Sequence, residues 1–419
     1  MSINIERRQE TFLERVLAAC LEKRQVILFL VLVLIGAGII ALTRLPIDAF
    51  PDVSNIQVEI IAQAPGLSPF EIERLVTFPI EVAMRGLPQL ELMRSVTKFG
   101  LSVVTLIFSD RTDIYFARQL VFERLGEVRE KLPEEVEISL GPVSTALGEI
   151  YQYILEVPDL EIKTKEEEIR WLTELRTIQD WIVAPLLKTV PGVNEINSFG
   201  GYIKQIHVRP EPLWLRKYGL TVTDVLTAIE AGNRNVGGSI IDHQGEQIIV
   251  RGVGLYRTLE DVEQVVIKAE GGVPIRVRDV AEVASGYAVR QGASLMNGEK
   301  EVVGGIVMML RGENSRQVVK RVEAKVEEIN RENVLPHGIK IKPFYRRSEI
   351  VEKSLGTVKY AILEGSILVL IVLFLFLGNL RGAIIVIMAM PLTVLATFVL
   401  ARLFNLGANL MSLGGLAIS

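Results

Sequence analysis

The chain has 419 residues, 49% of them apolar, with 46 Lys and Arg against 50 Asp and Glu. A formal charge of −4 excludes the basic surface that a nucleic-acid binder presents. One cysteine, Cys20, excludes a disulfide framework or a cysteine-cluster metal site, and the scattered His207, His243 and His337 make no zinc motif.

The first element is an apolar run from Val26 to Leu42, preceded by Arg7, Arg8, Arg15, Lys23 and Arg24. It is too long for a signal-peptide core and ends in Thr-Arg-Leu-Pro, so it reads as an uncleaved first membrane span, residues 26–45. The basic flank places residues 1–25 in the cytoplasm. There Phe12, Leu13, Val16, Leu17, Cys20 and Leu21 recur at helical spacing, as in a helix lying on the membrane surface. Cys20 on that face reads as a small apolar filler.

A long segment of ordinary soluble composition follows, outside the cytoplasm by this orientation. Ile56–Ala62 alternates as a strand, and Ser68 to Arg85 carries a helical apolar stripe opened by Ser68-Pro69. Leu92–Thr97 and Ser102–Phe108 read as a hairpin, Thr112 to Lys131 as a helix, and Val136–Leu140 as a strand. This βαββαβ order is the ferredoxin-like unit. The pattern partly returns. Ile150–Val157 reads as a strand and Glu166–Lys188 as a helix, with Gly192–Phe199 and Tyr202–Val208 as a second hairpin. Glu301–Leu310, Asn314–Asn330 and Ile339–Phe344 supply a strand, a helix and a strand far downstream. The spacing therefore predicts two units, 46–140 and 141–189 with 273–355, the second split by an inserted lobe at 190–272. The lobe contains a short helix over Thr223–Ala231 and a flexible glycine-bearing stretch, Gly237–Gly245.

The last sixty residues are again apolar. Residues 358–377 and 383–402 are each long enough to span a bilayer at about 1.5 Å rise per residue. A third run, 406–419, stops at about half a span, so the chain reads as the N-terminal part of a larger membrane protein. Glu364 lies at the outer end of the second span, and Pro391 predicts a kink in the third. The fold class expected is a multi-pass α-helical membrane protein with a large α+β insert of βαβ units. No P-loop, nucleophile elbow or HExxH pair occurs, which argues against the enzyme classes they mark.

The segments LPIDAFP (45–51), VTFPI (76–80), FSDRTDIYFAR (108–118), GEIY (148–151), QDW (179–181), PGV (191–193) and NLMSLGG (409–415) occur in one order along the chain. In that order they resemble the N-terminal part of the resistance-nodulation-division transporters, in the heavy-metal efflux branch. The resemblance implies a proton-driven homotrimeric pump in the bacterial inner membrane. It works with a periplasmic adaptor and an outer-membrane channel, and the two units are porter subdomains with a docking lobe inserted in the second. It also implies a proton-relay aspartate just beyond Ser419. No cofactor is implied; the metal is cargo.

Glu149 in GEIY and Asp180 in QDW look like positions that supply carboxylates in the divalent branch, which exports zinc, cobalt or cadmium. Asp180 also stands four residues after Arg176 on one helix face, the spacing of an ion pair. Met411 occupies the position at which the copper and silver branch is thought to relay Cu(I) or Ag(I), though methionine occurs there in both branches. Met308 and Met309, adjacent on a strand, read as core. LGEIY and FARQL (116–120) resemble the divalent branch, and Gly415 and Ala417 the copper branch. The divalent reading is favoured, with Cu(I) and Ag(I) export as the alternative and a non-transporting structural or assembly membrane protein as the alternative of another class.

Overall fold

The computed structural model describes residues 20–44, 47–48, 54–144, 147–157, 163–243, 245–290, 292–377, 380–404, 408–409, 411–412 and 415. The expected surface helix before Cys20 and most of the third apolar run lie outside them. The first apolar helix is Arg24–Arg44. Its stretch Arg24–Leu42, with mean hydropathy 2.9, is the one helix among the described residues long and apolar enough to cross a membrane. The helices Arg347–Leu377 and Leu380–Leu403 carry shorter apolar stretches, Leu363–Phe376 and Pro391–Leu403. Ala41, Val351 and Phe398 pack together where the three helices meet.

The first unit is a four-stranded sheet ordered Leu90–Lys98, Leu101–Phe108, Ile56–Gln63, Glu137–Leu140, with every neighbouring pair antiparallel. The helices Pro69–Met84 and Ile114–Arg129 cover one face and enclose a core of Val58, Ile60, Ile72, Val76, Ile80, Leu106 and Val121. Ser68 starts the first helix with a reciprocal cap: its hydroxyl accepts from the Glu71 amide, and the Glu71 carboxylate accepts from the Ser68 amide at 2.9 Å. Asp113 caps the second helix, accepting from the amides of Tyr115 and Phe116.

The second unit repeats the topology with strands from distant parts of the chain. Its order is Lys340–Arg346, Glu149–Glu156, Gly304–Met309, Val193–Phe199. The helices 165–188 and Ser315–Arg331 cover the face bearing Tyr151, Tyr153, Leu155 and Val307. In chain order both sheets run 4-1-3-2. Strands two and three of the first unit are joined by the turn Phe99–Gly100; in the second unit the chain from 200 to 303 stands at that place.

The expected hairpin of 192–199 with 202–208 does not form. Val193–Phe199 pairs with Gly304–Met309, and Lys204–Pro210 pairs with Ala281–Tyr287. Gly200 and Gly201 look like hairpin-turn residues, and both do have positive φ. Here they turn the chain out of the sheet instead. The inserted lobe therefore does not follow the expected limits 190–272: 193–199 belongs to the second sheet and 281–287 to the lobe. The stretch Gly237–Gly245 is likewise one arm of a hairpin, Val236–His243 with Glu246–Gly252. Gly238 permits close pairing there, since a Cβ would stand 2.4 Å from the Val250 carbonyl oxygen.

Both first helices contain a π-turn at the same point, Glu73–Thr77 and Gln179–Val183, each followed closely by proline, Pro79 and Pro185. Proline lacks an N–H and its ring crowds the carbonyl four residues back. The wide turn relieves this: Phe78 N–H bonds the Glu73 carbonyl and Ala184 N–H bonds the Gln179 carbonyl, each five residues back. Each turn also holds a buried polar residue. Thr77 bonds Ser102 at 2.8 Å and Thr97 at 3.0 Å. The Gln179 amide donates to Tyr153 Oη at 3.0 Å and to Ser198 Oγ at 3.3 Å.

Gly200 is where the chain leaves the sheet for the lobe, with φ +74, and a Cβ there would stand only 2.0 Å from the Val302 carbonyl oxygen. Gly200→Ala is expected to destabilise the second unit by at least about 2 kcal/mol. Urea unfolding followed by tryptophan fluorescence, compared with Gly219→Ala at a positive-φ site with open space, checks this; equal midpoints for the two variants contradict it.

Candidate metal site

Glu149 is the first residue of the strand Glu149–Glu156, and its position depends on a bulge. Val307 pairs with Tyr151 but Met308 pairs with Glu149, so Ile150 is the extra residue. Ile150 and Tyr151 are both fully buried in the helix-side core. Glu149 is exposed, and Gln152 Nε2 donates to its Oε2 at 3.0 Å. A bulge of this kind re-aims a side chain at the end of a ladder.

Two further donors share that row. Met308 pairs with Glu149 on one side and Glu195 on the other. Directly paired residues of antiparallel strands point to one face. Met308 is buried yet absent from the helix-side core that holds Val307 and Met309. Asn197 Nδ2 donates to Glu195 Oε1 at 3.2 Å. The open face thus carries two carboxylates, each oriented by a carboxamide of its own strand, with a thioether between them. Sequence reading missed Glu195; it took Met308 and Met309 for core, and both are buried, Met309 in the helix-side core and Met308 outside it.

Asp180 is elsewhere. It lies in the π-turn of the helix that covers the opposite face, and Arg176 Nε donates to its Oδ2 at 2.8 Å. The side chains are 17% and 30% exposed, so the pair is largely shielded from water. Arg176 Nη1 also holds the Gly200 carbonyl at 2.8 Å. The structure does not bring Asp180 to Glu149; the ion-pair spacing was the informative signal. A cavity of about 250 Å³ beside it is lined by Thr177, Trp181 and residues 203–206. Met411 is exposed, one residue before Ser412, whose amide is capped by Asn409 Oδ1 at 2.8 Å.

Around the strand ends lie further charges. Burial raises the Tyr151 phenol well above its ordinary value, the Arg346 guanidinium offsetting this only in part. Burial also raises Glu323, against the pull of the same arginine 3.5 Å away. Among the described residues no group of three or more His, Cys, Asp and Glu side chains converges as a metal cage.

The model of the AcrB/AcrD/AcrF family matches residues 16–419. The chain belongs to this family. It is 48% identical over 405 residues to the protein HelA of Legionella pneumophila, covering 96% of this chain and 38% of that protein. It is 47% identical over 403 residues to the cobalt-zinc-cadmium resistance protein CzcA of Cupriavidus metallidurans, with the same coverage. Identity falls to 38% over 395 residues with the cation efflux system protein CusA of Escherichia coli, covering 93% and 37%. An X-ray structure of a heavy metal efflux pump, 34% identical, superposes with TM-score 0.85 over 96% of this chain and 39% of that one. The chain thus spans less than two fifths of the length of these family members.

If Asp180 serves the fold through Arg176, Asp180→Asn should lower stability by about 1 kcal/mol in metal-free buffer. Thermal unfolding with and without a chelator checks this. A melting temperature unchanged without metal but lowered with zinc present would instead mark Asp180 as a ligand.

Proposed function

We propose that this chain forms the N-terminal part of a proton-driven efflux transporter for divalent cations, zinc, cobalt or cadmium. The observation that carries this reading is the gradient of similarity: 47% identity to a cobalt-zinc-cadmium resistance protein against 38% to CusA, over nearly the whole chain in both cases. The chemistry of the open face agrees with it. Carboxylates hold zinc at about 2.0–2.2 Å and favour borderline cations, whereas a site built for Cu(I) alone is richer in thioether or thiolate.

In this reading Glu149 is the first contact of the cation, oriented by Gln152, with Glu195 and Met308 on its row. Asp180, Met411 and a proton-relay aspartate beyond Ser419 complete the expected set, Asp180 through its hold on Arg176. The helices Arg24–Arg44, Arg347–Leu377 and Leu380–Leu403 are spans in the bacterial inner membrane, and the two sheets are porter units on the periplasmic side. The working assembly is a homotrimer joined to a periplasmic adaptor and an outer-membrane channel.

The lobe supports the trimer. Its hairpin exposes Ile240, Ile241, Ile248 and Ile249, an apolar arm that water does not favour. The same lobe has an open hollow of about 1160 Å³ between Asp224–Gly232 and Val253–Ile267. An arm from one subunit seated on the next would cover both.

Growth of a metal-sensitive, pump-deleted Gram-negative host carrying the full-length pump tests the cargo. Wild type should protect against zinc, cobalt and cadmium; Glu149→Ala, at matched expression, should lower zinc affinity roughly tenfold and remove most protection. Protection against copper and silver alone refutes the divalent assignment. For the assembly, deletion of residues 238–244 should convert trimers to monomers in detergent while the far-UV circular dichroism is retained; an unchanged mass by light scattering refutes the arm.

A further inference from the structure

The head of the helix Arg347–Leu377 is joined to the Glu149 segment by two contacts, and a third ties it to the neighbouring helix Ser315–Arg331. First, the strand Lys340–Arg346 runs into the helix with no intervening residue. Its last residues pair with the Glu149 strand, Tyr345 with Gln152 and Arg346 with Tyr151. Gln152 is the residue whose amide holds Glu149. Second, Arg347, only 4% exposed, sends Nη1 to the Leu147 carbonyl, two residues before Glu149. The next carbonyl, Gly148, accepts from the Met309 amide at 2.8 Å, next to Met308 of the same row. Third, Arg346 Nη1 bonds Glu349 Oε1 at 2.8 Å within the first helical turn, and Arg346 Nε lies 3.5 Å from Glu323. One turn further, Val351 is fully buried against Ala41 and Phe398 of the other two apolar helices.

We propose that Arg347 is a positioning residue that links cation binding at Glu149 to the position of this helix. The inference rests on Glu149 being a cation contact. The physical argument is short. Loss of a hydrogen bond by a buried guanidinium is costly, so the contact ties Arg347 to the Leu147 carbonyl. On the side towards Glu149, the Gly148 carbonyl is held by the Met309 amide and Glu149 stands in the ladder opposite Met308, so a shift there is passed along the chain to Leu147. A cation that draws Glu149 towards Met308 and Glu195 therefore pulls on Leu147, and through Arg347 on the first helical turn. By thermodynamic reciprocity, a displacement of the helix at Val351 changes the affinity at Glu149 by the same factor. A positioning role differs from a merely structural one: removing Arg347 should uncouple the two ends without destroying the site.

The experiment uses the full-length pump in detergent. Zinc affinity is measured by calorimetric titration, and amide hydrogen exchange over residues 347–360 is followed by mass spectrometry with and without saturating zinc. In wild type zinc is expected to slow exchange in that segment by about twofold or more. Arg347→Met should keep zinc affinity within about threefold and lose the zinc-dependent slowing, and Arg347→Lys, which retains a charged donor group, should restore most of it. Slowing that persists in Arg347→Met overturns the link while leaving Glu149 as a ligand. Zinc affinity that falls more than about tenfold in Arg347→Met also overturns it, making Arg347 a support of the site alone. An absence of zinc binding in wild type removes the cargo reading itself, and the link with it.

Discussion

The pairing of Glu149–Glu156 between Gly304–Met309 and Lys340–Arg346 is the constraint on which the second half of the molecule depends. Those strands lie about one hundred and fifty and two hundred positions apart, so no local signal forms the sheet. The burial of Tyr151, Tyr153, Leu155 and Val307 under two helices does. Once this ladder closes, the rest is fixed. The chain between strands two and three must leave as a lobe, Glu149 and Met308 must share the open face, and the helix Arg347–Leu377 must begin at the sheet edge. Hydrophobic burial thereby sets the position of a carboxylate that is itself exposed.

The two units show how one topology is used for different ends. Each has a π-turn ahead of a proline and a buried polar side chain aimed from that turn into the sheet. In the first unit the helix meets the strands through hydroxyls and carboxylates: Thr97 donates to Glu73 at 2.7 Å and Ser95 to Glu81 at 2.6 Å. In the second unit the corresponding face is largely apolar, and Gln179 with Tyr153 and Ser198 is its main polar contact. The open face of the second sheet has the mixed donors, so these lie on the unit that also receives the lobe and the helix Arg347–Leu377.

Much of this was legible from residue patterns. Period-two alternation and helical stripes located both helices and most strands of the two units, and Ser68-Pro69 marked a helix start that the structure caps. The failures have definite causes. Gly200-Gly201 between two alternating runs is an ordinary hairpin signal, and only the long-range partner Gly304–Met309 shows that the chain leaves the sheet there. Gly237–Gly238 reads as a flexible loop until Val250 is seen against it. Asp180 and Glu149 belong to motifs of similar standing, yet a helix layer and a sheet separate their faces, and Arg176 already claims the aspartate. Glu195 has no motif of its own; only its register opposite Met308 gives it a place beside Glu149.

The absence of any loop between Arg346 and Arg347 also orders events during synthesis. The first sheet is complete once residue 140 has emerged, because no inserted lobe separates its strands. The second waits for its fourth strand, after closing a loop of about a hundred residues whose entropic cost grows only slowly with length. That strand ends at the very residue before the next helix begins. Completion of the second sheet and emergence of the helix Arg347–Leu377 are therefore nearly simultaneous. A delay in one leaves either an unpaired strand edge or an unpacked apolar helix exposed, both surfaces prone to misassembly.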